Sequence, residues 1–181
     1  KAGPVWTGET RLNEDWLTQP LRWKRPRRIF VCAHGDLFAE SVPDAWIDRV
    51  FAVMALAPQH TFQVLTKRAK RMRKWASAPD RLSRIAARAF FMEGEFQPQW
   101  PLPNVWLGVS VEDQMRADER IPDLLATPAA VRFVSAEPLL SPVDLTAISW
   151  GGDFICGSTD ALRGIDTCLE FPGEPRPSRG K

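Results

Sequence analysis

The stretch Asn104-Val-Trp-Leu-Gly-Val-Ser-Val-Glu-Asp113 decides the fold class, because it joins a buried strand directly to the start of a helix. Its β-branched and aromatic residues predict the strand. The two acidic residues at its end suit the positive amino end of the helix that follows. Three further apolar runs predict strands at Arg28–Ala33, His60–Leu65 and Val131–Ser135. Four strands separated by helical patterns predict an α/β protein with parallel strands.

The segments between the strands carry helix start and stop signals. Ser41 and Asp44 predict a capped helix start, and Pro58 predicts the end of that helix. A basic helix is expected over residues 68–75, and Pro79 begins another. Pro122 is expected to break the fourth helix into two pieces. These elements place the α/β core in residues 1–145 and leave residues 146–181 as an irregular, aberrant or disordered tail.

Composition excludes several classes of protein. The longest apolar runs are far shorter than the roughly 20 residues that span a bilayer, so we expect no membrane partner. Three cysteines in 181 residues are too few and too scattered for a disulfide scaffold, which predicts a cytoplasmic protein. With 24 basic and 22 acidic residues, the net charge of +2 does not indicate a nucleic-acid-binding protein by itself.

Polar and charged residues follow every predicted strand. In parallel α/β folds, closed or open, ligands bind at the carboxyl ends of the strands, so these residues are the candidate binding site. The stronger candidates are Lys67, Arg68, Ser110, Glu112, Ser135 and Glu137. His34 and Asp36, which follow the first strand, are weaker candidates, and no partner for the histidine can be identified by spacing.

The residue types suggest specific chemistry. Lys67 and Arg68 suit a carboxylate or a phosphate. Glu112 and Glu137 suit an amine or ribose hydroxyls, or a proton-transfer role. The alternative is that Ser110 pairs with Asp113 only to cap a helix. Among other residues, His60 is interpreted as a structural turn residue and Cys32 as a small buried side chain in the first strand.

A basic cluster offers a second kind of site. A helix rich in lysine and arginine beside Trp75 could grip nucleic-acid phosphates. The cluster consists of Lys67, Arg68, Lys70, Arg71, Arg73 and Lys74. The alternative is a solvated helix face balanced by acidic helices elsewhere, and the near-neutral total charge favours it.

Five blocks resemble, in order, a bacterial and prophage family named after phage gene products thirty-seven and sixty-eight, whose function is unknown. The blocks lie within about residues 1–145 and are Leu21–Val31, Asp36–Phe38, Ala57–Arg68, Asn104–Glu112 and Phe133–Leu140. Members usually carry an upstream Cys-x7-Cys-x2-Cys pattern similar to the cluster anchor of radical S-adenosylmethionine enzymes. The resemblance implies a partial, TIM-like barrel, with an open doubly wound sheet as the alternative.

The same resemblance suggests an iron–sulfur cluster and S-adenosylmethionine as cofactors of the full-length parent, with the six stronger candidates around cofactor or substrate. Cys32, Cys156 and Cys168 do not match the three-cysteine pattern. We therefore expect this chain to be a fragment that has lost both ends, with a tail from a shifted reading frame. We expect the fragment to be catalytically inactive and to hold none of these cofactors.

Two functions remain open at this point. The first is the core of a radical S-adenosylmethionine-like iron–sulfur enzyme, acting on an unknown small molecule or nucleic-acid-derived substrate. The second is a non-enzymatic phage protein that binds nucleic acid through the basic helix.

Overall fold

The computed structural model describes residues 9–93, 96–152, 155–162 and 165–168. The helices in this part of the chain are α1 Glu14–Leu17, α2 Gln19–Arg22, α3 Asp44–Leu56, α4 Ala69–Ala76, α5 Arg81–Glu93 and α6 Gln114–Leu125. The strands are β1 Arg28–Val31, β2 Thr61–Thr66, β3 Val105–Ser110, β4 Val131–Ser135, β5 Ile148–Gly152, β6 Ile155–Asp160 and β7 Ile165–Cys168.

The first four strands form one parallel sheet in the order β1-β2-β3-β4. Phe62 of β2 lies opposite Val105 of β3, and Ser110 of β3 lies opposite Ser135 of β4. Each connection moves one strand along the sheet in the same direction. Connections of the usual right hand therefore all lie on one face. The structure confirms the predicted α/β class with parallel strands.

One face of this sheet is buried beneath the helices. Alternate side chains of the two central strands, such as Val64 and Leu107, are almost fully buried in a single core. From the helix side, α3, α4, α5 and α6 contribute Phe51, Met72, Ile85 and Ile121 to that core. The period of two along each strand thus separates a helix-covered face from the opposite face.

The opposite face is much less covered in the described part of the chain. Phe30 of β1 is 47% exposed and Val131 of β4 is 37% exposed. Between them, Leu65 and Trp106 are half-buried. Gly108 is buried on this face because the Phe133 ring of the neighbouring strand lies across it. We call this surface the open face of the sheet.

Two predictions about helix signals are wrong. Ser41 does not cap α3, because Pro43 occupies the N-cap position and the Ser41 hydroxyl lies 2.6 Å from that of Thr10. Pro122 does not break the fourth helix, because α6 runs unbroken through it. Burial of the apolar face of α6 offsets the hydrogen bond that a proline removes.

The segment after β4 is more regular than we expected from its sequence. Strands β5, β6 and β7 form a second, antiparallel sheet within residues 146–168. Ile148 is fully buried in the main core, and the Ser149 amide donates a hydrogen bond to Asp118 of α6 at 2.9 Å. The beginning of this sheet therefore packs on the α/β core. Residues 169–181, where we expect a tail from a shifted reading frame, lie outside the described residues.

Candidate ligand-binding site

The loops that follow the four parallel strands lie along one edge of the sheet. We call this the carboxyl edge and define it as residues 34–36, 67–68, 110–112 and 135–137. All eight candidate residues lie in it, because parallel strands end on the same side. The register places Ser110 directly opposite Ser135, so the serines of β3 and β4 are neighbours. Ser110 is buried and Ser135 is half-buried.

The structure joins Lys67 to Glu112 in an ion pair at the ends of β2 and β3. The Lys67 side chain is about half exposed, whereas that of Glu112 is 9% exposed. The second carboxylate oxygen of Glu112, Oε2, accepts a hydrogen bond of 2.9 Å from Nη1 of Arg120 in α6. Glu112 is thus held by two cations, one from the loop after β2 and one from a helix.

These contacts set the charge state of Glu112. Burial raises the pKa of this carboxyl, but the Lys67 hydrogen bond and the positive charges of Arg120 and Lys67 outweigh it, so the pKa lies below its usual value. Glu112 is therefore ionised at neutral pH. An ionised carboxylate has no proton to donate, and its lowered pKa makes it a weak base, which argues against the predicted proton-transfer role.

Asp36 connects the loops after β1 and β2. Its Oδ1 accepts hydrogen bonds from the Thr66 hydroxyl at 2.7 Å and the Phe38 amide at 2.9 Å. Its Oδ2 accepts one from the Lys67 amide at 3.0 Å and one from Arg68 Nη1 at 3.3 Å. Because every oxygen of Asp36 is occupied, this residue holds the carboxyl edge in shape.

Two exposed candidates have no side-chain partner in the described part of the chain. The side chains of His34 and Glu137 are exposed, and neither makes a hydrogen bond or an ion pair with a described residue. Glu137 follows β4 and lies on the same edge as Lys67 and Arg68. It is therefore the carboxylate of this edge that is available to an incoming positive group.

Most of the basic cluster is engaged within the protein. Arg68 pairs with Asp36 and with Glu40. Arg71 donates to the carbonyl oxygens of Phe38, Ala39 and Val42 and pairs with Asp44. Arg73 pairs with Asp123 at 2.9 Å. Lys70 and Lys74 are exposed on α4 and have no partner among the described residues.

Trp75 is not available to stack on a base. Its side chain is 3% exposed, its ring packs against Phe51, and its indole N–H donates to Asp48 at 3.0 Å. The expectation that it assists nucleic-acid binding is wrong, because the apolar face of α4 turns inward onto the core. The exposed surface of α4 consists of the long cationic side chains.

Two residues outside the site differ in how well the sequence predicted them. His60 is structural, as expected: it is buried, Nδ1 accepts the Arg27 amide at 3.2 Å, and Nε2 lies 3.0 Å from the Pro20 carbonyl. Cys32 is not a buried strand residue. β1 ends at Val31, and Cys32 is exposed in a turn with a φ of 56°.

Arg120 is the site residue that the sequence analysis missed. It lies on the inward face of α6, in the same stripe as Ala117, Ile121 and Leu124. An arginine within an apolar helical stripe indicates a buried charge partner, because an unpaired buried charge is costly. This signal was present in the sequence, but it does not name Glu112 as the partner.

Other features of the described residues do not add to the site. They contain no group of three histidine, cysteine, aspartate or glutamate side chains that could hold a metal ion. None of their helices has the length and apolarity needed to cross a membrane. A surface cavity of about 520 Å³ lies against α5, away from the carboxyl edge, and the described residues that line it carry no ionisable side chain.

Comparison with known proteins gives a family but no activity. No curated protein and no solved structure is significantly similar to this chain. A family model described as "Protein of unknown function (DUF5131)" matches residues 2–161, which include the whole carboxyl edge and the start of the second sheet. The chain therefore belongs to the DUF5131 family of proteins of unknown function.

Proposed function

We propose that this chain is the cofactor-binding core of a radical S-adenosylmethionine-like enzyme of phage or prophage type, with S-adenosylmethionine bound at the carboxyl edge. The resemblance in five sequence blocks supports the class of enzyme. The placement of the charged side chains supports the location. The substrate of the reaction is a small molecule or a nucleic-acid-derived group.

The observation that carries the proposal is the pairing of opposite charges beside an open surface. Strands β2 and β4, with β3 between them, bring to one edge the cations Lys67 and Arg68 and the carboxylate Glu137, which has no partner among the described residues. The amino acid part of S-adenosylmethionine carries an ammonium group and a carboxylate, which need such a combination. The adenosine part is flat and partly apolar, and the half-exposed aromatic rings of the open face offer a matching surface.

The sheet order supports a partial barrel over a doubly wound sheet. A doubly wound sheet reverses its strand order at a switch point and carries helices on both faces. In this chain the order β1-β2-β3-β4 does not reverse, and the helices cover one face. In a barrel the open face becomes the interior, and its carboxyl edge becomes the rim where ligands bind.

The iron–sulfur cluster implied by the resemblance does not fit the residues that the structure describes. Cys32 is exposed, and the described residues contain no group of three side chains that could ligate a metal ion. A cluster would have to be held by residues outside the described ones, so we assign no reaction step through it. From the sequence we expect this chain to hold no cofactor. Because Lys67 is about half exposed and Glu137 is exposed at the carboxyl edge, we propose instead that the chain binds S-adenosylmethionine but does not cleave it.

Calorimetric titration with S-adenosylmethionine tests the proposal. We expect the wild type to bind, and Lys67→Gln and Glu137→Gln to weaken binding by at least about tenfold each, because each removes a charge-assisted hydrogen bond. Lys70→Gln is the matched control, since Lys70 is an exposed cation of α4, three residues after Lys67, with no partner among the described residues. Binding that is absent in the wild type, or equally weakened by the control, contradicts the proposal.

Nucleic-acid binding through α4 is the second candidate, and the two exposed lysines of that helix favour it. Lys70 and Lys74 can contact phosphates without breaking an ion pair with a described residue, unlike Arg71 and Arg73. The double variant Lys70→Gln/Lys74→Gln should lower the retention of DNA or RNA. For duplex DNA, the slope of log K against log salt concentration should become shallower by roughly 1.8, because two phosphate contacts are lost. Retention unchanged in this variant would exclude this surface.

A further inference from the structure

Arg120 contacts the carboxyl edge from the helix-covered side of the sheet, where it lies on α6. Its Nη1 donates one hydrogen bond to Oε2 of Glu112 at 2.9 Å and another to the Ser110 carbonyl oxygen at 2.7 Å. The side chain is 9% exposed, and its Nε is buried without a hydrogen-bond partner. One nitrogen of this buried guanidinium therefore makes two contacts at the end of β3, while another donor stays unused. We infer that the side chain is positioned by those two contacts.

Glu112 is saturated by these contacts. Oε2 faces Arg120, Oε1 faces the Lys67 ammonium, and the backbone carbonyl oxygen accepts the Leu140 amide at 2.8 Å. Two positive groups and one negative group leave the trio of Lys67, Glu112 and Arg120 with a net charge of +1. Arg120 is buried, so Lys67, which is about half exposed, is the member of the trio that a ligand can reach.

We propose that Arg120 is a positioning residue: it holds Glu112, and Glu112 in turn fixes the Lys67 ammonium as the cation that receives the carboxylate of the ligand. This inference rests on the proposed function, and it divides the roles of the two glutamates. Glu112 is an internal counter-ion that does not touch the ligand. Glu137, which has no partner among the described residues, receives the ammonium group.

The other charged groups near Glu112 are committed elsewhere. On α6, Asp113 caps the helix by accepting the Arg116 amide, and the Arg116 guanidinium pairs with Glu119. On the β2 side, Arg68 pairs with Asp36 and Glu40. On the β4 side, the titratable group is Glu137, which is exposed. Arg120 and Lys67 are therefore the charged groups in contact with the Glu112 carboxylate, whereas Arg116 interacts with it only through its charge, without contact.

The contact geometry makes an unusual prediction for a lysine replacement. Arginine and lysine are seldom interchangeable where the guanidinium binds through two nitrogens. Here a single nitrogen makes both contacts, and the remaining buried Nε has no partner. Arg120→Lys should therefore retain the function of Arg120 after a small adjustment for its shorter reach. Arg120→Gln, which removes the charge, should not.

The first measurement follows the Glu112 carboxyl by ¹³C NMR during a pH titration, with its signal assigned by its loss in Glu112→Gln. We expect a pKa below the ordinary glutamate value in the wild type and in Arg120→Lys, and a clear upward shift in Arg120→Gln. The second measurement is the affinity for S-adenosylmethionine. It should fall about tenfold in Arg120→Gln and stay within about threefold of wild type in Arg120→Lys.

The outcomes separate this inference from the proposed function. An unchanged Glu112 titration in Arg120→Gln overturns the positioning role. If Arg120→Gln does not fold, the Glu112 titration in Arg120→Lys tests the positioning role instead. An ordinary glutamate pKa for Glu112 in Arg120→Lys would overturn the inference as well. If wild-type protein fails to bind S-adenosylmethionine, the proposed function falls, and the titration alone then decides whether Arg120 positions Glu112.

Discussion

Replacing Gly108 with alanine would put a methyl group where the Phe133 ring now lies. An ideal Cβ at this position of β3 would be 2.6 Å from the Cε1 and Cζ atoms of that ring. Ordinary contacts between carbon atoms are about 3.5 to 4.0 Å, so the ring would have to retreat by about 1 Å. The backbone of Gly108 is ordinary strand, so the close approach of the ring, and not the backbone conformation, accounts for the glycine.

The expected cost follows from what the ring can do. Phe133 lies directly opposite Gly108 in the β3–β4 register, and Trp106 and Ser110 flank the glycine on the same face of β3. The ring can therefore turn outward but cannot slide along the strand. Overpacking of this kind costs about 1 to 3 kcal/mol. Removing a glycine from the unfolded chain offsets about 0.5 kcal/mol of it, so we expect a net loss of about 1 to 2 kcal/mol.

Urea denaturation followed by circular dichroism measures this loss of stability. Two comparisons show whether it arises from the contact between Gly108 and Phe133. Gly35→Ala is the matched control, because a Cβ at Gly35 meets no atom within 4 Å, and we expect little change. In a Phe133→Val background, Gly108→Ala should cost nothing or stabilise slightly, which gives a coupling free energy above about 1 kcal/mol. An equal loss in both backgrounds would refute the assigned β3–β4 register on the open face.

Three further predictions concern the carboxyl edge and its support. Asp36→Asn should lower the free energy of unfolding in urea by about 1 to 3 kcal/mol, because the charge-assisted hydrogen bonds that Asp36 accepts from several donors weaken. Glu40→Gln, at an exposed carboxylate, should change the free energy of unfolding little. Arg71→Met should make the β1–α3 loop more sensitive to chymotrypsin, because it removes the donor to three loop carbonyl oxygens, and Lys70→Met should not. Because the pKa of Glu112 is lowered in the folded protein, its carboxylate contributes stability above its unfolded pKa, and this contribution is lost as the pH falls through the folded pKa. The urea midpoint of Glu112→Gln should therefore depend less on pH than that of wild type in the acidic range below the ordinary glutamate pKa of 4.5.

The fold was largely predictable because its strands carry a strong local signal. The runs that begin near Arg28, Thr61, Val105 and Val131 combine β-branched residues with polar residues at their carboxyl ends, and the structure has a strand at each of them. Since parallel strands end on one side, the same pattern placed the candidate residues at one edge. Local composition was sufficient to predict the four strands, and the rule that parallel strands end on the same side was sufficient to place the candidate residues at one edge.

The details that were missed depend on contacts across the fold. Cys32 leaves the strand because the chain turns there toward Asp36, which an apolar pattern does not reveal. Pro122 stays within α6 because tertiary packing outweighs its local preference. The Arg120–Glu112 contact joins a helix to a strand end, and spacing along the chain does not specify which carboxylate an arginine will meet.

Amide NMR of the wild-type protein during titration with S-adenosylmethionine locates the ligand on the structure. We expect the largest chemical-shift changes at the carboxyl edge, in the amides of Lys67, Ser110 and Ser135 and the residues beside them. We also expect Lys70 and Lys74 on α4 to remain unchanged. Shift changes confined to α4, or no changes at millimolar ligand, would contradict the proposed function.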